Sequence, residues 1–349
     1  SVNLKVTIKD VAKHAGVSVG TVSKVLNAGS CSTEKGRRVH DAIQALNYRP
    51  NLYARAVRSS HTGCIGLLLE KNVYTSSSLW LDGWLSSLLL AITRTKYRSE
   101  VLTIDSADPD FDCSCFSAFD GLISFGHFEP IFWEKMERSC PIPLVTYFEP
   151  APYRYGFSFE VYLDDGMEKI ARHLYDFGHR DVAFLASSHK VAQTKMRKFG
   201  EAMKKVYPDY DTNLLISREQ LGSAAETAMY LTDMVLAKYP NVTALFYESD
   251  SYANSGLCAL IQRRLRLAVD ISLVSYDRTS WSRNFVPSIT SVGIDFRKTA
   301  QMLVDLLLAI VKNDPDAAEQ LKQQKIMLEY FPGNSVRNLK INPQPGENK

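Results

Sequence analysis

Residues 7–27 read Thr-Ile-Lys-Asp-Val-Ala-Lys-His-Ala-Gly-Val-Ser-Val-Gly-Thr-Val-Ser-Lys-Val-Leu-Asn. The spacing predicts two short amphipathic helices joined by a tight glycine turn, the layout of a helix-turn-helix DNA reader. Thr7 is placed to cap the first helix, with Asp10 three residues on as a short-armed capping box. Val11, Ala12 and Ala15 share its apolar face, and Gly16 supplies the left-handed residue that ends it. Ser18 is placed to cap the second helix, whose inward residues are Val22, Val25 and Leu26. Its outer face carries Val19, Gly20, Thr21, Ser23 and Lys24, small or polar residues that reach base edges and phosphates without clashing. An ordinary helical hairpin has the same pattern, so the flanking residues decide.

A third helix is expected next, with Ser32 as its cap and Val39, Ala42, Ile43 and Leu46 at i, i+3, i+4 and i+7. Tyr48-Arg49-Pro50-Asn51 stops it, because proline disfavours helix at the residue before it. Residues 51–58 form a short helical candidate with two arginines, too short to be stable alone in water. Residues 1–61 hold ten Lys and Arg against three acids, a net charge of +7, whereas the remainder holds 31 basic against 35 acidic residues. A basic head on a mildly acidic body suits a module that neutralises phosphates.

The rest of the 349-residue chain is long enough for more than one domain and a large core. Apolar runs at 64–69, 100–104, 121–125, 142–147, 181–186, 242–247 and 271–275 read as buried parallel strands. Helical segments at 79–95, 165–177, 194–206, 223–238, 251–264 and 296–312 alternate with them, which predicts α/β folding. No uncharged apolar run reaches 18 residues, so no membrane span is expected. The six cysteines have no zinc spacing, and reduced thiols and a cytoplasmic location are expected. No metal site or cofactor motif is apparent.

Residues 6–66 resemble the N-terminal part of the LacI/GalR (lactose-repressor) family of bacterial transcription regulators. The resemblance rests on Val6-Thr7-Ile8-Lys9-Asp10-Val11-Ala12, Ala15-Gly16-Val17-Ser18, Thr21-Val22-Ser23-Lys24-Val25-Leu26-Asn27, Asn47-Tyr48-Arg49-Pro50-Asn51 and Ile65-Gly66. The body resembles the family's effector domain through Phe119-Asp120-Gly121-Leu122-Ile123, Gly178-His179-Arg180, Arg197-Lys198-Phe199-Gly200 and Asp270 through Asp277. The implied fold is an all-α helix-turn-helix head plus an α/β, two-lobed body like the periplasmic binding proteins, with two doubly wound parallel sheets. The implied domains are 1–50 for the head, 51–62 for a hinge helix and linker, and 63–332 for effector binding and dimerisation. The first lobe is expected to span 63–177 and 292–323, the second 178–291 and 324–332, with 333–349 a flexible tail.

In such a protein the second helix enters the major groove. Val19 then meets a thymine methyl, Gly20 leaves its base pair weakly read, and Thr21, Ser23, Lys24 and Asn27 contact bases or phosphates. Thr7, Ser18, Ser32, Tyr48 and Asn51 suit phosphate contacts that fix register. Ala54, Arg55, Val57 and Arg58 fall on the hinge helix, where Val57 matches the residue that wedges into the minor groove. Ligands of doubly wound folds bind at the carboxyl ends of strands. The resemblance implies a bidentate donor at Arg197, and Asp277, ending an apolar run, is its acceptor partner. Glu70, Ser249, Asp165 from the first lobe, Phe296 as an apolar wall and Tyr74 as a stacking aromatic complete the expected effector site. Trp80 and Trp84 read as packing or as stacking residues.

The expected function is a homodimeric repressor of carbohydrate-use genes, binding a pseudopalindromic double-stranded operator under the control of a sugar-like effector. Exported sugar receptors and carbohydrate-active enzymes share parts of this pattern. The basic head argues against the first. The absence of a nucleophile elbow, phosphate loop or dinucleotide motif argues against the second. The proline-bearing tail lacks leucine heptads, so a tetramerising coiled coil is not expected.

Overall fold

A computed structural model describes residues 6–28, 33–46, 48, 61–72, 78–147 and 150–341; of residues 27, 28 and 78 it describes the backbone only. The chain divides into two compact bodies, the first ending at Thr62 and the second beginning at Gly63. The hinge residues Asn51, Ala54, Arg55, Val57 and Arg58, together with Ser32 and Tyr74, lie outside the described residues, as does the side chain of Asn27.

The head contains α1 (Ile8–Ala15), α2 (Val19–Ala28) and α3 (Glu34–Ala45). Val11, Ala12, Ala15, Val22, Val39 and Ala42 form its small core, and Val25, Leu26, Ile43, Leu46 and Tyr48 pack at its margin. Asp10 accepts from both the amide and the hydroxyl of Thr7, at 2.8 and 2.7 Å. Gly16 adopts φ 62°, where a side chain would also meet the Arg38 guanidinium. Arg38 donates to the carbonyls of Ala15 and Gly16 and so ties the turn to α3. The cap of α3 is Thr33 rather than the expected Ser32: the Thr33 hydroxyl accepts from the Gly36 amide at 3.1 Å.

The body begins with β1 (Cys64–Glu70), α4 (Ser78–Thr93), β2 (Arg98–Ile104), β3 (Gly121–Phe125), α5 (Pro130–Ser139), β4 (Leu144–Thr146), β5 (Gly156–Ser158) and β6 (Val161–Tyr162). It continues with α6 (Asp164–Asp176), β7 (Val182–Ser187), α7 (Lys190–Val206), β8 (Leu215–Arg218), α8 (Ala224–Lys238), β9 (Ala244–Tyr247), α9 (Asp250–Gln262), β10 (Ser272–Tyr276) and α10 (Ser280–Asn284). The last elements are β11 (Thr290–Gly293), α11 (Phe296–Val311), α12 (Pro315–Lys322), β12 (Ile326–Met327) and β13 (Glu329–Phe331).

Two sheets organise two lobes, with orders β2-β1-β3-β4-β5 and β13-β11-β10-β9-β7-β8. All pairings are parallel except β11 with β13. Every residue of β1 is buried, as continuous apolar strands covered by helices on both faces must be. Between β2 and β3 a 3₁₀ turn at Cys113–Ala118 stands where an α-helix would complete the crossover.

The lobes are joined by three crossings. The parallel pair β6 and β12 carries two of them, and the stretch after Gly293 carries the third. The expected boundary near Gly178 is corrected. Helix α6 belongs to the second lobe, because Met167, Ile170, Ala171 and Leu174 sit in the core with β7, β9 and β10, while Phe159, Ile294 and Ile326 belong to the first-lobe core. The chain therefore crosses at 161–163, returns just after 293 and crosses again at 326–328.

The expectation of a flexible tail from 333 is also corrected up to residue 341. The Ser335 hydroxyl donates to the Leu273 carbonyl at 2.5 Å and accepts from the Thr290 amide at 2.8 Å. Further along, the Arg337 amide donates to the Ser272 hydroxyl, and the Leu339 amide to the Phe177 carbonyl. This segment seals the base of the second lobe.

Candidate functional site

On the head, Ser18, Gly20 and Lys24 are exposed along α2, with Val19, Thr21 and Ser23 half-buried beside them. The Ser18 hydroxyl accepts from the Thr21 amide at 3.2 Å and sits 2.9 Å from the Thr21 hydroxyl. The helix start is thus capped by the residues expected to touch DNA, and Lys24 projects as the cation of that face. Thr7 is exposed as well, its hydroxyl engaged with Asp10. Tyr48 is half-buried against the head's core.

In the body, strand ends from both lobes converge. On the second lobe, β7, β9 and β10 deliver Ser187, Glu248, Asp250 and Asp277. Asp250 is fully buried and accepts four hydrogen bonds, from the Ser275 hydroxyl, the Thr279 amide and hydroxyl, and the Ser282 hydroxyl. Burial still holds its carboxyl above the usual range. Glu248 accepts from the Ser187 amide at 2.9 Å. Asp277 is buried, and its Oδ2 accepts from the Asp250 amide at 3.3 Å. Desolvation is the main cause that pushes the Asp277 carboxyl up to about 7, with Lys195 opposing and Asp250 and Glu248 adding to it. Asp277 and Arg278 both carry positive φ, 108° and 54°, a backbone arrangement that is uncommon for residues with side chains.

The expected pairing of Arg197 with Asp277 is corrected. Arg197 is exposed, and its guanidinium is bonded to Glu201 one turn along α7 at 2.5 Å. The cation facing Asp277 is Lys195, which the sequence reading missed. Its ammonium donates to the Glu248 carbonyl at 3.1 Å, lies 4.0 Å from Asp277 Oδ1 and stands 3.7 Å from the centre of the Tyr276 ring. Residues 195 and 197 point about 200° apart around a helix, so only the rotation of α7 could have chosen between them.

The other expected site residues have these surroundings. Glu70 is buried, and its carboxylate accepts from the Asn72 amide and from the amide and hydroxyl of Ser106, so it organises first-lobe loops. The Ser249 hydroxyl caps α9 through the Tyr252 amide. Asp165 lies on α6 in the second lobe, not the first, paired with Lys169 at 2.7 Å. It lines an open cavity of about 630 Å³ with Arg172, His173 and Tyr330. Phe296 packs on Trp84, ring centres 5.3 Å apart.

The first lobe faces the second with aromatic rings. Trp80, Trp84, Phe125 and Tyr147 form one cluster, with Trp84 and Tyr147 rings 4.5 Å apart. Trp84 is fully buried packing rather than a free stacking face. The Tyr147 hydroxyl is pushed well up by burial and then by Asp277 and Tyr276 of the second lobe. At another edge of the same cleft, His127 from the end of β3 meets His189 from the end of β7, ring centres 6.1 Å apart. Neither histidine nor Tyr147 carried a sequence signal.

A basic helix-turn-helix head on a two-lobed body with a polar cleft at its strand ends defines a DNA-binding transcription regulator. Residues 7–51 match the family described as "Bacterial regulatory proteins, lacI family", and residues 171–336 match the "Periplasmic binding protein-like domain". The chain thus pairs a lacI-family DNA-binding domain with a periplasmic binding protein-like domain, and the curated relatives it is similar to are transcription regulators.

It is 27% identical to the HTH-type transcriptional regulator GalR of Escherichia coli K12, covering 88% of this chain and 90% of that one. To the HTH-type transcriptional repressor PurR of Photorhabdus laumondii it is also 27% identical, covering 93% and 95%. It shares its fold with the lac repressor dimer bound to operator and the anti-inducer ONPF, with a TM-score of 0.74, 23% identity and coverage of 95% and 99%. A transcriptional regulator CelR–cellobiose complex aligns with a TM-score of 0.63, 20% identity and the same coverage.

Proposed function

We propose that the chain is a repressor that binds a pseudopalindromic operator as a homodimer in the cytoplasm, and that a small polyhydroxylated metabolite held between the lobes sets its operator affinity. The observation that carries the ligand reading is the juxtaposition of Lys195 and Asp277, a donor beside an acceptor; the first lobe contributes the aromatic cluster of Trp84, Phe125 and Tyr147. Adjacent hydroxyls satisfy such a pair, one accepting from the ammonium and one donating to the carboxylate, while a ring's apolar face meets the aromatics. The cellobiose complex of a regulator with this fold supports a carbohydrate. Glu70, Asp165, Ser249 and Arg197 stand outside this pair, each engaged with partners of its own.

For DNA, the reading rests on α2 with Lys24, and on Thr7, Val19, Gly20, Thr21 and Ser23 around it. Arg55, Val57 and Arg58 supply the hinge contacts. A ligand that changes lobe spacing changes the spacing of paired hinges, a coupling worth about 1–3 kcal/mol and reciprocal.

The test is to select duplexes from a random pool with the full chain, then titrate the selected duplex in the presence of mono- and disaccharides. A twofold-symmetric consensus and a sugar-dependent shift in affinity are expected. Selection of no symmetric sequence would remove the operator reading, and a response to no sugar would remove the carbohydrate reading.

A further inference from the structure

The second body starts at Gly63, the last residue before the buried strand β1. Gly63 adopts φ +67° although, among the described residues beyond its chain neighbours, no atom lies within 4 Å of where a Cβ would stand. The glycine is thus required by backbone direction and not by space. Its main chain is held on both sides. The Gly63 amide donates to Asp120 Oδ2 at 2.8 Å, and its carbonyl accepts from the Arg98 amide at 2.9 Å. Asp120 in turn donates its own amide to the Cys64 carbonyl at 2.8 Å.

Asp120 stands at the amino end of β3, which pairs with β1 in the register Ile65 with Gly121. The amino ends of the two strands therefore share one edge, at which the chain enters the body. At the other end of β1, roughly 23 Å away by strand rise, Glu70 accepts from the amides of Asn72 and Ser106 in the loops that follow β1 and β2. β1 is buried along its whole length between these two anchors, in a close-packed interior that resists deformation.

We infer that Asp120 is a positioning residue for operator binding: together with the left-handed Gly63, its carboxylate fixes the direction in which the chain leaves the body for the DNA-reading head. The side chain acts through the Gly63 amide and touches no DNA. The inference rests on the operator reading proposed above.

The experiment uses the full chain and a duplex selected from a random pool by the unaltered protein. Operator affinity is measured by fluorescence anisotropy, and body stability by the thermal transition, for Asp120→Ala, Asp120→Asn and Gly63→Ala. Asp120→Ala and Gly63→Ala are expected to weaken operator binding about 5- to 150-fold while the body's transition moves by only a few degrees. Asp120→Asn keeps an acceptor oxygen for the Gly63 amide and is expected to recover most of the affinity, which a merely structural role would not separate from stability. Unchanged affinity in Asp120→Ala, or an Asp120→Asn variant as weak as Asp120→Ala, overturns the inference. If Asp120→Ala fails to fold, Gly63→Ala decides, because it leaves the carboxylate in place. If the unaltered chain selects no duplex, the operator reading has failed instead.

Discussion

The Lys195 ammonium stands 4.0 Å from the Asp277 carboxylate, with both side chains almost wholly inside the second lobe. Arg197, two residues on, is bonded to Glu201 where both side chains are about half exposed. The two cations should therefore differ sharply in what they contribute. Lys195→Met keeps an aliphatic stem over Tyr276 and leaves Asp277 beside Asp250 and Glu248 without an opposing charge. Asp277 can take up a proton in response, which caps the cost of the missing charge at about 1.4 kcal/mol at pH 8, and the lost bond to the Glu248 carbonyl adds about 1 kcal/mol. Arg197→Ala should cost no more than about 1 kcal/mol. Urea unfolding at pH 8 checks this, and equal losses would contradict the assignment of Lys195.

The Asp277 carboxyl gives the body a signed dependence on pH. Its folded value, about 7, lies above the ordinary 3.8 because burial penalises the anion. The folded state thus holds the proton more tightly than the unfolded chain does. Its contribution is fully present below pH 4 and is lost as pH rises through 7, by on the order of a few kcal/mol. Asp277→Asn should remove this component, so the stability difference between variant and parent should grow in the variant's favour from pH 5 to pH 8. Thermal transitions across that range measure it; a difference that stays flat would show that Asp277 titrates normally.

The helices of the head were legible because their ends are written in residue chemistry: Asp10 on Thr7, the left-handed Gly16, and the hydroxyl of Ser18. The body's strands were legible as apolar runs. Which core each helix joins was not. The apolar face of α6 at Met167, Ile170, Ala171 and Leu174 shows that the helix is buried on one side but is equally suited to either sheet, so the lobe boundary was placed about 15 residues late. The cleft was half legible: Asp277 stood out at the end of an apolar run, but Lys195 depended on helix rotation. Glu70 proved to be occupied by amides of neighbouring loops, partners with no side-chain signature in the sequence.

On the head, Lys24 is exposed on α2, and its reading as a phosphate or guanine contact can be separated from a general loss of charge. If it neutralises a phosphate, Lys24→Ala should weaken binding to selected and unrelated duplexes alike. The slope of log affinity against log salt should then become shallower by about 0.9 for each phosphate left without its cation. If it reads guanine, the loss should concentrate at one base position, on the order of 1–3 kcal/mol there. Ligand-induced shifts in the body's thermal transition should be unchanged in both cases. Operator affinity unaffected at every salt concentration would take Lys24 out of the interface.

Ser335 bears on whether the residues after β13 are part of the fold. Its hydroxyl is buried and bridges the Leu273 carbonyl of β10 and the Thr290 amide of β11, adjacent strands of the second sheet. Removing the hydroxyl leaves two buried main-chain groups unsatisfied, at a cost of about 1–3 kcal/mol. For a body of this size that lowers the thermal midpoint by roughly 2–10 °C. Ser335→Ala should show this loss, and truncation before residue 334 a larger one, because it also removes the bonds of Arg337 to Ser272 and of Leu339 to Phe177. A loose tail would make both changes silent, since exposed polar residues away from such bonds alter stability by no more than about 0.5 kcal/mol. The midpoint of Ser335→Ala therefore distinguishes a strap that closes the second lobe from a tail that merely follows it.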